Sequence, residues 1–180
     1  MAVSRSLDLT DPTFRGRIRQ GLTALRPKQT PVKHVILAEA LTPEQVAAFH
    51  RLSQFDQAHL CRVYELLCAQ GEVDRDVLVA ALLHDVGKVG ESGSVRLLHR
   101  VARVALARCS PNLLARLARM PARGWRLGFA LAVHHPKLGA ERAAALGCTP
   151  RTCWLIAHHE DDPLPDDAQL RRLVAADHAA

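Results

Sequence analysis

The segment from Val77 to Leu83 constrains the fold more than any other part of the chain, because all of its residues are apolar. It follows Asp74 and Asp76, either of which can begin a helix, and Gly87 lies shortly after it. A helix that is apolar around its whole circumference is buried on all sides. The sequence therefore predicts a central helix, surrounded by other helices, that ends near Gly87.

Helix-capping residues and helical spacing predict further helices before and after this segment. Thr42, Pro43 and Gln45 form a helix start, and another helix should run from Phe55 to Gln70. The sequence has no alternating strand pattern and no internal repeat. It therefore predicts an all-α, compact helical bundle. The remaining helices are expected in two pieces between Ser92 and Gly124, from Pro136 to Leu146, from Pro150 to about His159, and around Leu170 to Asp177.

The prolines near the start suggest how the chain is divided. Pro12, Pro27 and Pro31 limit any helix in residues 1–41 to short pieces, so this region is predicted to be an N-terminal arm. Residues 42–180 should form one helical domain with an Arg-rich helical insertion at about 92–130.

The composition favours a cytoplasmic protein. No apolar run approaches the length that spans a bilayer, and Asp8, Asp11 and Arg15 interrupt any stretch resembling a signal peptide. The five cysteines are odd in number and include no CxxC pair, which is more typical of reduced thiols than of disulfides or a zinc site.

Histidine and aspartate residues fall where helices are expected to be buried. His59 shares the apolar face of its predicted helix, His84 and Asp85 end the central helix, and Asp177 shares the apolar face of the last one. A buried carboxylate is costly unless it is paired or binds a metal. Two carboxylates near several imidazoles form a suitable ligand set for one or two divalent cations.

These residues resemble a known family. His59, then the segment Ala80–Lys88 (AALLHDVGK), and finally Asp177 occur in the order found in the HD-domain superfamily of metal-dependent phosphohydrolases. The resemblance covers roughly residues 42–178. It implies that His59, His84, Asp85 and Asp177 ligate a metal ion.

Two further elements resemble the HD proteins that hold two metals. His135 begins the first (HPKLGA), and the second contains His158, His159 and Glu160. The resemblance implies that His135 and His158, with or without His159, hold a second ion. The sequence departs from the HD-GYP branch, which cleaves cyclic di-GMP, because Glu160 is followed by Asp-Asp-Pro-Leu-Pro and no Gly-Tyr-Pro occurs. Cyclic di-GMP hydrolysis is therefore not expected.

The resemblance implies hydrolysis of a phosphate ester, with a small nucleotide or signalling nucleotide as substrate. Asp85 is expected to face the attacking water and to bridge two ions if two bind. Lys88 is a second catalytic candidate that also suits substrate phosphate, although a lysine at a helix end also complements the helix dipole. The metal, whether Fe, Mn, Mg, Ni or Zn, remains open. Two alternatives are a di-iron oxygenase-type HD enzyme and a non-catalytic module that binds a nucleotide or lipid.

The middle of the chain is strongly basic. Residues 92–140 contain no Asp or Glu, which suggests an anionic partner. The segment has three interpretations: a solvated helix face, a lid whose Arg96 and Arg100 bind substrate phosphates, or a surface that contacts anionic membrane. Nucleic acid is disfavoured because aromatic residues make up only 4% of the chain. Its arginines are Arg96, Arg100, Arg103, Arg108, Arg116, Arg119, Arg123 and Arg126.

Overall fold

The structure is a computed structural model that describes residues 34–180 except Pro163, with side chains from Leu37 onward. These residues form nine α-helices and no strand beyond one isolated bridge between Val89 and Ser94, which confirms the all-α prediction. In chain order the helices are α1 (His34–Ala40), α2 (Pro43–His50), α3 (Gln54–Ala69), α4 (Arg75–Leu83), α5 (Leu97–Cys109), α6 (Pro111–Leu117), α7 (Trp125–Ala145), α8 (Pro150–His158) and α9 (Ala168–Ala179), with a 3-10 turn at Val86–Lys88.

The apolar segment forms the central helix α4. The Asp74 carboxylate caps its first turn by accepting hydrogen bonds from the backbone N–H groups of Asp76 and Val77. Apart from Leu78, the residues from Val77 to Leu83 are buried. Helix α4 packs against α3, α8 and α9 and also contacts α1 and α2. The helix that carries His84 and Asp85 at its end is therefore held on several sides.

The last part of the predicted N-terminal arm belongs to the packed core. Helix α1 begins at His34, and Leu37 and Leu41 are at most 6% exposed within the main hydrophobic cluster. These residues recur at helical spacing, so one face of a short helix suffices to bury them. The predicted boundary at residue 42 thus lies inside the packed unit, while the three arm prolines lie outside the described residues.

The prediction of a short helix starting at Pro136 was wrong. Helix α7 begins eleven residues earlier, at Trp125, and continues through Pro136 to Ala145. An interior proline removes one backbone N–H and so leaves the carbonyl four residues before it without its helical partner. That carbonyl belongs to Ala132, and it accepts a hydrogen bond from the His135 side chain instead.

None of the helices within residues 34–180 has the length and apolar character required to cross a bilayer.

Candidate metal centre

Five helices bring their histidines and aspartates together beside the end of α4. Two groups of three potential ligands form there, and within each group the ligand atoms lie within 4.8 Å of one another. Asp85 belongs to both groups, and its Oδ1 atom lies 3.8 Å from Nε2 of His84 in the first and 3.4 Å from Nε2 of His135 in the second. The first group is His59, His84 and Asp85, and the second is Asp85, His135 and His159.

His135 provides the sharpest test of whether this cluster fits a cation. Its side chain is completely buried, and its Nε2 atom has no hydrogen-bond partner in the described structure. The same atom lies 3.4 Å from Oδ1 of Asp85. An unpartnered buried imidazole nitrogen is costly in a protein interior, whereas it is the atom by which histidine binds metals. The donor set of neutral imidazole and carboxylate therefore fits a divalent transition-metal ion.

The three most deeply buried imidazoles are oriented in the same way. Each places Nδ1 against the backbone carbonyl three residues earlier, which fixes Nδ1 as the protonated nitrogen and leaves Nε2 as the one that can bind metal. The two atoms are 3.2 Å apart for His84 and Ala81, 3.1 Å for His135 and Ala132, and 2.7 Å for His159 and Ile156.

The carbonyls that orient these rings are ones that a regular helix leaves unpaired. Ala81 and Ile156 lie in the last turns of α4 and α8, where the final four carbonyls lack helical N–H partners. The carbonyl of Ala132 is freed by Pro136. The sequence thus supplies each imidazole with an acceptor by ending a helix or by inserting a proline.

Asp177 of α9 lies against the first group, beside His59 of α3. The Nε2 atom of His59 lies 2.7 Å from Oδ1 of Asp177, and Nε2 of His84 lies 3.4 Å from the same oxygen. Asp177 is about one-fifth exposed, so it forms the more open side of the centre. All four residues of the HD-type ligand set therefore meet in space.

A family model described as HD domain matches residues 57–180, which is more than half of the chain. The chain belongs to the HD-domain family. No curated protein and no solved structure matches it.

We call the cluster of His59, His84, Asp85, His135, His159 and Asp177 the HD centre. Its two carboxylates are held in the charged form. Burial opposes ionisation of Asp85, but the charges of Lys88 and His84 hold its pKa well below the usual range. Burial likewise opposes ionisation of Asp177, and the adjacent His84 and His59 lower its pKa. The buried charge of Asp85 and the partly buried charge of Asp177 thus require a positive counterpart.

The imidazoles of the HD centre differ in charge. Burial lowers the pKa of His84, but Asp85 and Asp177 outweigh it and raise the value to about 9. Burial lowers the pKa of His135 to about 3, and burial together with His84 lowers the pKa of His159. At neutral pH a proton on His84 therefore balances the carboxylates, while His135 and His159 are neutral.

Lys88 follows the HD dipeptide by one helical turn and supplies a further positive charge. Its Nζ atom lies 2.5 Å from Oδ2 of Asp85, and its side chain is 19% exposed. The ammonium group therefore reaches both the carboxylate and the solvent-facing side of the centre. Lys88 therefore forms an ion pair with Asp85. This contact is additional to any favourable interaction of its charge with the dipole of α4.

Glycines allow the turn after Asp85 to lie directly on α7. A Cβ atom at Gly87 would lie 2.1 Å from the carbonyl oxygen of His135 and 2.7 Å from the backbone nitrogen of Gly139. The Arg142 guanidinium donates hydrogen bonds to the carbonyls of Val86 and Val89 and fastens the turn from the same helix. This contact holds Asp85 next to His135.

The structure does not bring every predicted site residue into the centre. His158 belongs to neither ligand group: its Nδ1 lies 2.5 Å from Asp161 Oδ2, and its ring packs on Trp154. His159 occupies the expected place instead, because it lies three and four residues after the buried Ile156 and Leu155. The metal-ligand assignments themselves remain predictions.

Of the predicted substrate-binding residues, Arg100 is already paired with a carboxylate and Arg96 is exposed to solvent. Both carboxylate oxygens of Asp56 accept hydrogen bonds from Arg100 Nη2, at 2.7 and 2.6 Å. Arg96 is exposed at the start of α5, where its backbone N–H donates to Nδ1 of His99. Substrate binding by Arg100 would therefore require it to leave Asp56.

Glu160 was not predicted as a site residue, although it lies at the edge of the HD centre. Its Oε1 atom is 3.8 Å from Nε2 of His135, and Arg103 binds both of its carboxylate oxygens. Burial opposes its ionisation, but His135 and Arg103 lower its pKa. Its position directly after His159 is the sequence signal that could have identified it.

Proposed function

We propose that this protein is a metal-dependent phosphohydrolase that cleaves a phosphate ester, with nucleotides or signalling nucleotides as the substrate class. The observation that carries the proposal is the sharing of Asp85 between two three-residue ligand groups inside an HD domain. A bound divalent cation lowers the pKa of water and offsets negative charge on phosphoryl oxygens.

The proposed roles of the chain's own residues follow from their positions. His59, His84 and Asp177 would hold a divalent cation on one side of Asp85, and His135 and His159 would hold one on the other. The backbone carbonyls fix the imidazole orientations, so little reorganisation is needed when a cation enters. Asp85 would contribute to both groups, and a cation held there would supply an activated water beside its carboxylate.

Positive side chains are proposed to bind the substrate phosphate. Lys88 is adjacent to Asp85 and is partly exposed, so its ammonium can contact a phosphoryl oxygen at the centre. Arg96 precedes the neighbouring helix α5 and Arg100 lies in its first turn. From there the two guanidinium groups can contact a second phosphate or the rest of a nucleotide. Arg96→Ala should raise KM with little change in kcat, because it would remove binding that is equal in ground and transition states.

The experiment is a hydrolysis screen with the full chain after reconstitution with Mn, Fe, Mg, Ni or Zn. The panel contains nucleoside mono-, di- and triphosphates, cyclic nucleotides and a chromogenic phosphate ester, and chromatography identifies the products. Two neighbouring substitutions provide a matched comparison. His159→Ala should lower turnover by at least about 100-fold, whereas His158→Ala should leave it within about threefold.

Two results would overturn the proposal and identify its alternatives. Oxygen consumption by the iron-loaded protein, with no phosphoester cleavage by any metal form, would favour a di-iron oxygenase. Stoichiometric nucleotide binding, with no product after hours in the presence of every metal, would favour a non-catalytic regulatory module.

A further inference from the structure

Helix α5 presents its apolar side to solvent. Leu98, Val101, Ala105 and Cys109 follow one another at helical spacing and form a single stripe, which we call the α5 stripe. All four are exposed, with Leu98 at 74% and Val101 at 55%. No residue of α5 is buried. An amphipathic helix that packs on its own domain normally does the opposite.

The charged side of α5 faces the domain. Arg100 binds the buried Asp56 of α3, and Arg103 binds Glu160 after α8 with nitrogen–oxygen distances of 3.1 and 2.6 Å. Carboxylates from two distant parts of the chain therefore hold the helix through its arginines. This arrangement fixes the orientation of α5 and keeps the α5 stripe pointing outward.

Trp125, at the start of α7, lies next to His99 of α5 and is 65% exposed. Its backbone carbonyl oxygen is 3.2 Å from Nε2 of His99, and its ring contacts Phe129, whose ring also contacts His99. An exposed indole beside an amphipathic helix is typical of surfaces that lie at a membrane interface.

The segment of the chain that carries the α5 stripe is basic. Residues 92–140 contain no acidic residue, and Arg96, Arg116, Arg119 and Arg123 are exposed. A symmetric second copy on this face would bring two sets of arginines together, which is unfavourable. An anionic lipid surface matches both the apolar stripe and its positive rim.

We propose that the α5 stripe and Trp125 dock the protein on the surface of anionic membranes. The apolar side chains enter the boundary between headgroups and acyl chains, and the surrounding arginines contact lipid phosphates and carboxylates. The docking does not depend on hydrolysis, so its test is independent of the proposed activity.

The two tryptophans of the chain allow a direct test with the full-length protein. Trp154→Phe leaves Trp125 as the reporter, and Trp125→Phe leaves Trp154, whose ring is partly buried against Arg151 and His158. Vesicles of phosphatidylcholine with 30% phosphatidylserine should shift the emission of Trp125 to the blue and leave that of Trp154 unchanged. Vesicles of phosphatidylcholine alone should shift neither.

A second measurement compares co-sedimentation with the same anionic vesicles. Val101→Asp should lower the partition coefficient at least about tenfold. Val73→Asp is the matched control, because Val73 is 87% exposed and lies just after the C-terminal end of α3. Helix α5 contacts α3 near its N-terminal end, at Asp56, and a helix of 16 residues is about 24 Å long. Raising the salt concentration to 0.5 M should also weaken binding.

Three outcomes would overturn the docking proposal. The first is no binding to anionic vesicles, and the second is equal loss of binding in Val101→Asp and Val73→Asp. The third is self-association that Val101→Asp abolishes, without vesicle binding, which would make the α5 stripe a contact between copies of the chain.

Discussion

Oδ1 of Asp85 lies 3.4 Å from Nε2 of His135, an atom that has no hydrogen-bond partner within the described structure. Both side chains are buried, so solvent cannot satisfy either one. A carboxylate oxygen and an imidazole nitrogen that converge in this way can both be satisfied by a cation between them. The same carboxylate also faces the first ligand group, which makes Asp85 the residue on which both sides of the centre depend.

Metal uptake should release a proton from His84. The pKa of His84 is raised to about 9 in the metal-free protein, so its ring is protonated at pH 7 and must lose that proton to bind metal. Affinity should therefore rise with pH, by up to about tenfold per unit, until the pH reaches about 9. Titration calorimetry at pH 7 in buffers of different ionisation enthalpy should detect about one proton released per ion at this group.

His135 supplies the control for proton release, since its pKa of about 3 leaves it neutral at pH 7. His135→Asn should therefore keep the release that accompanies binding at the first group. Metal binding that is independent of pH between 6 and 9 would show that His84 is not a ligand.

The metal-free protein should lose stability as pH rises toward 9. The folded pKa of His84 is higher than its unfolded value of about 6.5, so the protonated ring stabilises the fold. This contribution is complete below pH 6.5 and disappears as the pH passes through about 9. Urea unfolding of the chelator-treated protein should show the decrease, and saturating metal should reverse it. A free energy of unfolding that stays constant between pH 6.5 and 9 in the metal-free protein would contradict the raised pKa of His84.

Gly87→Ala should damage both stability and the second ligand group. The new Cβ would lie 2.1 Å from a backbone oxygen of α7, so the turn and the helix would have to separate. We expect a loss of more than about 3 kcal/mol in the free energy of unfolding, together with weaker metal binding by His135.

Gly139→Ala is the matched comparison on the opposite side of the same contact. Its Cβ would lie 3.2 Å from the Ile156 side chain and 3.3 Å from the His84 carbonyl oxygen, so shifts of a few tenths of an ångström would relieve the contacts. A loss of about 1 kcal/mol is expected. Equal effects of the two substitutions in urea unfolding would show that close backbone approach at Gly87 is unimportant.

Arg100→Ala should destabilise the protein far more than Arg103→Ala. Asp56 is 3% exposed, and removal of Arg100 leaves its carboxylate buried without an ionic partner, at a cost of about 3–5 kcal/mol. Both members of the Arg103–Glu160 pair are one-third exposed, so its loss should cost at most about 1 kcal/mol.

A double-mutant cycle separates pairing from packing at Arg100. The variant that combines Asp56→Ala with Arg100→Ala should be more stable than the sum of the single losses predicts, by at least about 1 kcal/mol. Additive losses in chemical denaturation would mean that the two side chains do not interact.

The central helix and the first ligand group could be predicted from local sequence. Helical periodicity assigns His59 and Asp177 to apolar faces, and the apolar run leads directly into His84 and Asp85. The choice between His158 and His159 was harder, because neighbouring positions at a helix end point in different directions. The phase of α8, set by the buried Leu155 and Ile156, resolves it.

Other features depend on contacts between distant parts of the sequence. Helix α7 continues through Pro136 because its residues pack on the turn after Asp85 and on α8, which outweighs the unfavourable proline. The sequence also shows that α5 is amphipathic without showing which side faces inward. That orientation is set by Asp56 and Glu160, which lie 44 and 57 residues from their arginine partners.

Metal content per chain, measured by elemental analysis after reconstitution, decides whether Asp85 joins two cation sites. The wild type should hold two divalent ions, His135→Asn one, and Asp85→Asn almost none, because Asp85 belongs to both ligand groups. His134→Ala is the control, since His134 contacts the carbonyl of Ala118 outside both groups, and it should retain two ions. An equal content of one ion in the wild type and His135→Asn, or no ion in the reconstituted wild type, would contradict a two-cation centre bridged by Asp85.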